Sequence, residues 1–359
     1  MREFGSEFEI GYFPDIYFQR ISGKLPYSAF TRSGREAIGL AIEGLDAGVA
    51  LLPAYCCWSM SLPFQAAGWK VAYYPLEQNL CVDCNKLKAL IEQLCPNVVL
   101  VMDYFGFTPV DETIKIIKEI NEHILIIADF TQCLFSFEEK WNQEVDFYVA
   151  SIRKSVGVPD GGIVLSKRKL LLNKLSDEKT PFVTHHIEAG IKKKRYTYSS
   201  LSEDKQRFRE LQAAAGAEIK NDYHLYKISP EAKSILDHTD VETIKFARRK
   251  NYQHLYDLLK ENENFDVLFA PGENSAPFMF VINSTKRDEL QASFAKQGVY
   301  CQVIWPLSDE AKIICPVSKK MEETMLAIPI DQRYSFDDIE EIGRRINSVI
   351  LNSSEPQSI

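Results

Sequence analysis

The first half of the chain alternates between short apolar runs and longer stretches with helical periodicity. The apolar runs are rich in Val, Ile and Leu and lack the alternation expected of a strand with one solvated face. Six of them are predicted to be strands: 47–53, 69–75, 97–103, 124–129, 146–150 and 162–165. Because buried strands separated by helices form parallel sheets covered on both faces, the pattern predicts an α/β fold with a mostly parallel sheet.

The second half of the chain has a different pattern, with long charged stretches and few buried runs. It predicts helices at 188–226, 241–259 and 335–350 and strands at 276–282 and 298–304. We therefore predict two domains. The large domain is residues 1–235, with an N-terminal arm at residues 1–28, and the small α+β domain is residues 236–359.

Composition narrows the class of protein. The chain has 359 residues, 45% of them hydrophobic and 26% charged, which excludes a disordered or collagen-like chain. Its net charge of −8 argues against nucleic acid or an anionic membrane as a partner. No apolar run approaches the roughly 20 residues needed to span a bilayer, and the first residues lack the pattern of a signal peptide. We therefore expect a cytoplasmic protein whose eight cysteines are reduced.

A first candidate site lies at the start of a predicted helix. Ser33 is followed three residues later by Glu36, which is the pattern of a capping box, so the helix is predicted to begin near Gly34. Free backbone amides at a helix start, a glycine that permits close approach and the Arg35 guanidinium together favour a phosphate. An ordinary capped helix is the alternative.

Two further candidates follow predicted strands. Asp129 ends one strand, where a buried acid can pair with a cation, although such an Asp also caps turns. Another strand delivers Ser151 and then Lys154, followed by a Gly-rich turn. A lysine amine becomes a nucleophile when its surroundings lower its pKa, although most lysines are simply exposed. No set of residues at metal-ligand spacing is evident, so no metal is expected.

Together, these three candidates suit one cofactor. A capped helix, a strand-ending Asp and a strand-ending Lys follow one another in the order that pyridoxal 5′-phosphate needs. The helix start would bind the phosphate, the Asp would keep the pyridine nitrogen protonated, and the Lys would form the Schiff base.

The sequence resembles the DegT/DnrJ-type sugar aminotransferases, a family with fold type I. The resemblance implies that this chain is a divergent member of that family. The matching segments are SGREAIGLAI, LLPAYCCWSM, DYFGF, ADFTQCLF, SIRKSVGVPDGG, RRKNY and MLAIPIDQRYSFDDIEEI. They run in the family's order from about residue 30 to residue 350. The resemblance implies a seven-stranded sheet between helical layers, a small C-terminal domain and a homodimer.

The resemblance also implies roles for individual residues. Lys154 is implied as the Schiff-base lysine and proton carrier, and Asp129 as the partner of the ring nitrogen. Gln132 would hydrogen-bond on the side of the ring hydroxyl. The residues implied to bind the phosphate are Ser33, Gly34 and Arg35, with Ser151 adding a hydroxyl. The residue that covers the ring is left open among Cys57, Trp58 and Tyr55, and Trp58 is favoured.

These matches imply a function. The expected reaction moves an amino group from an amino acid, with glutamate as the expected donor, to a nucleotide-linked keto-sugar. The expected setting is the synthesis of surface polysaccharides or glycoconjugates. Two departures from the family, Arg35 in place of a hydroxyl residue and the lack of a clean Gly-x-Asn-x-Arg segment, leave an alternative open. That alternative is a non-catalytic protein of the same fold that binds a sugar nucleotide or a protein partner.

Overall fold

A seven-stranded sheet forms the centre of the larger part of the molecule. The structure is a computed structural model that describes residues 17–221, 223–272 and 276–349. The strands of this sheet are β1 (Tyr27–Thr31), β2 (Val49–Pro53), β3 (Lys70–Tyr74), β4 (Val98–Met102), β5 (Leu125–Asp129), β6 (Phe147–Ser151) and β7 (Gly162–Ser166). Their order across the sheet is β1-β7-β6-β5-β4-β2-β3.

Most of the sheet is parallel, as the apolar runs predict. Strands β6, β5, β4, β2 and β3 run in one direction, and β7 runs against both of its neighbours. Every residue of β4 and β7 is buried. The α/β prediction is therefore confirmed, and all six predicted strands of the first half are present. The sequence prediction missed β1, because its half-exposed residues do not form a continuous apolar run.

Helices cover the sheet and carry its connections. In the first half they are α1 (Tyr17–Ser22), α2 (Gly34–Ile42), α3 (Trp58–Ala66), α4 (Cys84–Leu94) and α5 (Asp111–Ile120). Short 3₁₀ helices span Thr131–Ser136, Ile152–Lys154 and Leu172–Lys174. Helix α2 is almost wholly buried against β6 and β7, so its first turn is held firmly at the edge of the sheet.

A helical hairpin follows the sheet. It consists of α6 (Pro181–Ser199) and α7 (Ser202–Asn221), so the prediction of one helical stretch at 188–226 is wrong in its boundaries. The break occurs at Ser200, which has a left-handed backbone with φ of 55°. Lys192 and Arg195 of α6 both pair with the buried Asp204 of α7, and these ion pairs hold the two helices together near the turn.

The last part of the chain forms a second, smaller sheet with its own helices. Its elements are α8 (Pro230–Leu236), α9 (Val241–Leu259), β8 (Asp266–Val267), β9 (Phe280–Asn283), α10 (Arg287–Lys296), α11 (Asp309–Ile314), α12 (Pro316–Thr324), β10 (Met325–Ile328) and α13 (Phe336–Asn347). The sheet is antiparallel in the order β10-β9-β8, and α9 and α13 pack together beside it.

One predicted strand of this part is wrong. Residues 298–304 form no strand; only Gln302 pairs, through a single bridge to Ala327. The residues that follow lead instead towards the larger sheet, where Trp305 contacts Tyr55. The division at residue 235 stays a prediction, and the first 16 residues of the predicted arm lie outside the described residues. No helix in the described ranges is long and apolar enough to cross a membrane.

Candidate active site

The carboxyl ends of three strands meet at one edge of the large sheet. Gly162 at the start of β7 pairs with Thr31 of β1 on one side and with Ser151 of β6 on the other. Asp129 ends β5, which lies next to β6. The residues that follow these strands are therefore neighbours, at the edge where parallel sheets bind their ligands.

A cavity with about 720 Å³ of empty space lies at this edge. The residues that line it are Ser33, Gly34, Arg35, Ile38, Cys57, Trp58, Ser59, Met60, Asp129, Thr131, Ser151, Arg153, Lys154 and Ile219. Seven of the eight residues predicted for the site are among them, although they come from four separate segments of the chain. Its charged side chains are three basic ones and one carboxylate, so the cavity favours an anion.

The start of α2 forms one end of the cavity. Ser33 is its N-cap residue, as predicted, but the predicted capping box is wrong because the Ser33 side chain makes no capping hydrogen bond. The Glu36 carboxylate pairs instead with the buried guanidinium of Arg32, at 2.8 Å. The Ser33 hydroxyl is buried and has no hydrogen-bond partner among the described residues.

Close backbone approach at Gly34 holds this end together. A Cβ atom at Gly34 would lie 2.8 Å from the Cβ of Ser151 and 2.9 Å from its amide nitrogen. A Cβ atom at Gly162 would lie 2.3 Å from the carbonyl oxygen of Ser33. Both positions therefore need glycine for the helix start to reach the end of β6.

Asp129 forms the wall of the cavity between β5 and β6. Its Oδ1 accepts a hydrogen bond from the backbone N–H of Thr131, at 2.8 Å. Burial raises the pKa of Asp129 above its ordinary value, and hydrogen bonds from Thr131 and the charge of Lys154 oppose that rise. A cation placed against this carboxylate would therefore be strongly favoured.

Lys154 ends a 3₁₀ turn just after β6, and its side chain is exposed to the cavity. Its Nζ atom lies 6.0 Å from the centre of the Trp305 ring, which comes from the C-terminal part of the chain. Arg153 also lines the cavity, with its guanidinium 5.7 Å from the Phe182 ring. The Lys154 amine therefore lies over the Trp305 ring and close enough to Asp129 to act on it electrostatically.

Two predicted contacts are not made directly at the cavity. Gln132 is buried outside its lining, where its Oε1 accepts a hydrogen bond from the backbone N–H of Phe105 at 2.7 Å. Tyr55 is fully buried, and its hydroxyl contacts the sulfur of Met325. Cys57 and Trp58 both line the cavity, and Trp58 is 43% exposed. The role of Gln132 and the choice of the ring-covering residue stay predictions.

Sequence reasoning missed Thr131 and Trp305. Thr131 lies in the turn after Asp129, and no spacing pattern distinguishes its hydroxyl from that of any other turn residue. Trp305 directly follows residues 298–304, which the sequence pattern predicts to be a strand. Within the described residues, no group of three or more His, Cys, Asp or Glu side chains is arranged to bind a metal.

The donor set fits a phosphate-bearing, cationic-ring cofactor. The Ser33 hydroxyl, the start of α2 and the Arg35 guanidinium converge at one end, as a phosphate requires. At the other end, Asp129 offers a buried carboxylate and Lys154 offers an amine. The unsatisfied hydroxyl is the most specific of these features, because a buried polar group without a partner is rare.

Comparisons with known proteins agree with this chemistry. A sequence profile of the family described as aminotransferase class-V matches residues 28–303. No curated protein sequence matches the chain. Solved structures with the same fold include a sugar aminotransferase from Streptococcus pneumoniae, solved with the cofactor in its pyridoxamine phosphate form. It is 12% identical, with a TM-score of 0.65 over 92% of this chain and 90% of that one.

Two further structures share the fold. A DegT DnrJ EryC1 StrS aminotransferase from Brucella abortus is 15% identical, with a TM-score of 0.62 over 92% of this chain and 88% of that one. PseC from Helicobacter pylori, an aminotransferase of pseudoaminic acid biosynthesis, is 11% identical, with a TM-score of 0.64 over 92% and 89%. The predicted fold is confirmed, and the chain belongs to the aminotransferase class-V family as a pyridoxal-phosphate-dependent aminotransferase.

Proposed function

We propose that this chain transfers an amino group from an amino acid to a nucleotide-linked keto-sugar, with Lys154 as the reacting lysine. The observation that carries the proposal is the convergence of Ser33, Asp129 and Lys154 on one cavity. Ser33 and Asp129 are 96 positions apart along the chain and Asp129 and Lys154 are 25 apart, yet each supplies a different requirement of the same cofactor.

The residues that line the cavity would bind the phosphate and move the proton. Ser33, Gly34, Arg35 and Ser151 would hold the phosphate, and Lys154 would hold the aldehyde carbon through its amine. When bound, pyridoxal phosphate supplies an electron sink for the carbanion formed at the reacting carbon. Once a donor amine replaces it, Lys154 would remove a proton from one carbon and return it to another as general base and then general acid.

Asp129 would keep the nitrogen of the cofactor ring protonated, and Trp58 would hold the ring in place. The Asp129 carboxylate, already buried, would keep the ring nitrogen protonated and so strengthen the electron sink. Trp58 would cover one face of the ring, since it lines the cavity and its side chain is partly exposed. Gln132 would act on the side of the ring hydroxyl, next to the loop that it holds at Phe105.

The substrate class rests on the sequence resemblance and on the names of the structural neighbours, several of which are sugar aminotransferases. Glutamate is the donor to test first. The same resemblance supports a homodimer and a cytoplasmic setting in surface polysaccharide or glycoconjugate synthesis.

The test is a half-reaction followed by absorbance. The protein is saturated with pyridoxal phosphate, its visible spectrum is recorded, and glutamate and other amino acids are added one at a time. We expect glutamate to convert the bound cofactor into its amine form, and a keto-sugar nucleotide to convert it back. Lys154→Ala is expected to abolish both conversions.

Three results would count against the proposal. A cofactor that binds but responds to no amino acid would favour the non-catalytic alternative. Conversion that persists near the wild-type rate in Lys154→Ala would remove Lys154 from its role. Conversion by glutamate with no return by any keto-sugar nucleotide would overturn the substrate class alone.

A further inference from the structure

Thr131 connects two parts of the cavity that are expected to bind opposite ends of the cofactor. Its backbone N–H donates to Asp129 Oδ1 at 2.8 Å, and its Oγ1 accepts from the backbone N–H of Ser151 at 2.9 Å. Thr131 is buried and also lines the cavity. Thr131 therefore joins the end of β5, through its backbone N–H, to the end of β6, through its hydroxyl.

The O–H of the Thr131 hydroxyl is still available as a hydrogen-bond donor. A threonine hydroxyl carries one O–H donor and two acceptor positions, and Ser151 uses one of the acceptors. The side chain of Thr131, together with its backbone amide, stabilises the charged form of Asp129 and so lowers the pKa of that carboxyl against the effect of burial. The backbone N–H of Thr131 therefore holds this carboxylate, and its hydroxyl lies near enough to act on it.

The connection continues to the helix that begins the phosphate end. Ser151 is in tight contact with Gly34, where an added Cβ would lie 2.8 Å from the Ser151 Cβ. Gly34 is the first residue of α2, next to Ser33, whose hydroxyl has no partner in the part of the chain that the structure describes. A displacement of Thr131 would therefore move Asp129 and the helix start relative to each other.

We propose that Thr131 is a positioning residue, which holds the Asp129 carboxylate at the end of β5 and sets its distance from the phosphate end of the cavity. This inference rests on the proposed function, in which Asp129 faces the ring nitrogen. It adds a residue, between Asp129 and Gln132, to which the sequence resemblance gives no role.

The charged and titratable groups around Asp129 are few. Lys154 is the cation that acts on it, and the Cys56 and Cys133 thiols lie close enough to interact electrostatically with it. Burial raises the pKa of both thiols, so they stay neutral in the acidic and neutral range. A change in the pH dependence of cofactor binding in a Thr131 variant should therefore come from the titration of Asp129.

The test compares Thr131→Val with Thr131→Ser in the full chain. Cofactor affinity is measured by absorbance titration with pyridoxal phosphate over a range of pH. Binding needs an ionised Asp129, so affinity falls as the pH drops through the pKa of this carboxyl. Thr131→Val removes the hydroxyl and raises that pKa, so the acidic fall in affinity should move to higher pH by about one unit.

The same variant should also bind the cofactor about tenfold more weakly at neutral pH, since a hydrogen bond to a charged group is lost. Thr131→Ser keeps the hydroxyl and should restore both the affinity and the pH profile. A purely structural role would weaken binding equally at every pH, without moving the profile.

The neighbouring strand offers a matched control. Thr108 is equally buried, its Oγ1 accepts the backbone N–H of Tyr104 at 2.6 Å, and its own N–H donates to Asp103 at 2.9 Å. Asp103 does not line the cofactor cavity. Thr108→Val should therefore alter stability and leave the pH profile unchanged.

The outcomes separate the two proposals. If the wild-type protein binds no pyridoxal phosphate, the proposed function fails. If the wild type binds it and Thr131→Val shows the same pH profile as Thr108→Val, only the role of Thr131 is overturned. If Thr131→Val does not fold, the wild-type profile in Thr131→Ser together with a displaced profile in Thr131→Ala supports the role, and equal profiles in both overturn it.

Discussion

At the scale of single residues, the most informative feature is a polar atom that the fold leaves unsatisfied. Ser33 caps α2 by position, yet its hydroxyl is buried without a hydrogen bond among the described residues. Ser335 caps α13 with a complete capping box, in which Asp338 returns the hydrogen bond. The sequence patterns of the two caps are alike. They differ in that the Ser33 side chain makes no capping hydrogen bond and Glu36 pairs with the buried Arg32.

This contrast predicts opposite effects of two serine substitutions. Ser33→Ala should weaken pyridoxal phosphate binding about tenfold and change the free energy of unfolding of the apoprotein by less than about 0.5 kcal/mol. Ser335→Ala should lower that free energy by about 1 kcal/mol and leave cofactor binding unchanged. Absorbance titration and denaturant unfolding measure the two effects. Equal loss of stability in both variants would show that Ser33 is only a structural cap.

Asp129 predicts a dependence of stability on pH. Burial raises its pKa in the folded apoprotein above the ordinary value of 3.8, so the wild type loses stability as the pH rises through the folded-state pKa. Asparagine does not titrate. The unfolding free energy of Asp129→Asn minus that of the wild type should therefore increase as the pH rises above 3.8 and then level off. Thermal unfolding of both apoproteins across pH measures this, and a difference that stays constant with pH would contradict it.

At the scale of elements, the buried strands were predictable and the contacts between distant segments were not. Continuous apolar runs such as 98–102 identify strands buried on both faces, because no other short element needs them. Strand β1 lacks such a run, and residues 298–304 have one but form a single bridge. The lysine and aspartate of the site could be predicted because each follows a buried strand. The proposed role of Thr131 could not be predicted, since it depends on a hydrogen bond that its hydroxyl accepts from the backbone N–H of Ser151, 20 residues away.

The close contact between α2 and β6 predicts the effect of adding one methyl group. Gly34→Ala would bring a Cβ within 3.0 Å of three Ser151 atoms, so it should lower the free energy of unfolding by about 1–3 kcal/mol and weaken cofactor binding. Gly190 lies inside α6, and among the described residues no atom beyond its chain neighbours and its own helix backbone lies within 4 Å of an added Cβ. Gly190→Ala should therefore stabilise the protein by about 0.5–1 kcal/mol. Denaturant unfolding of both variants tests this, and a neutral Gly34→Ala would contradict the role of the contact.

At the scale of the whole molecule, the C-terminal part of the chain supports the turn that carries Lys154. The buried Arg248 of α9 donates to the carbonyl oxygens of Pro277 and Phe278, and at 3.4 Å to that of Ser155, the residue after Lys154. Gln332 donates to the same Ser155 carbonyl at 2.9 Å and accepts from Arg248. The turn that carries Lys154 is therefore fixed by both parts of the chain. The sequence could not reveal this, because these residues are far apart along it.

This anchor predicts a coupled loss of stability and activity. Arg248→Gln should lower the free energy of unfolding by about 2 kcal/mol or more, because the carbonyl oxygens of Pro277 and Phe278 lose this donor in the interior of the protein. It should also slow the half-reaction with the amino donor, since the Lys154 turn loses support. Lys250→Gln removes the same charge from the exposed face of α9 and should change the free energy by less than about 0.5 kcal/mol. A stable Arg248→Gln with full half-reaction rate would contradict this account.

We propose Lys154 as the residue to which the cofactor binds covalently. The most direct test is to saturate the protein with pyridoxal phosphate, fix the linkage by borohydride reduction, digest the protein and locate the modified lysine by mass spectrometry. The account predicts one stoichiometric modification, on Lys154, that is absent from Lys154→Ala and reduced in Ser33→Ala at limiting cofactor. Stoichiometric modification of any other lysine, or none at Lys154, would contradict it.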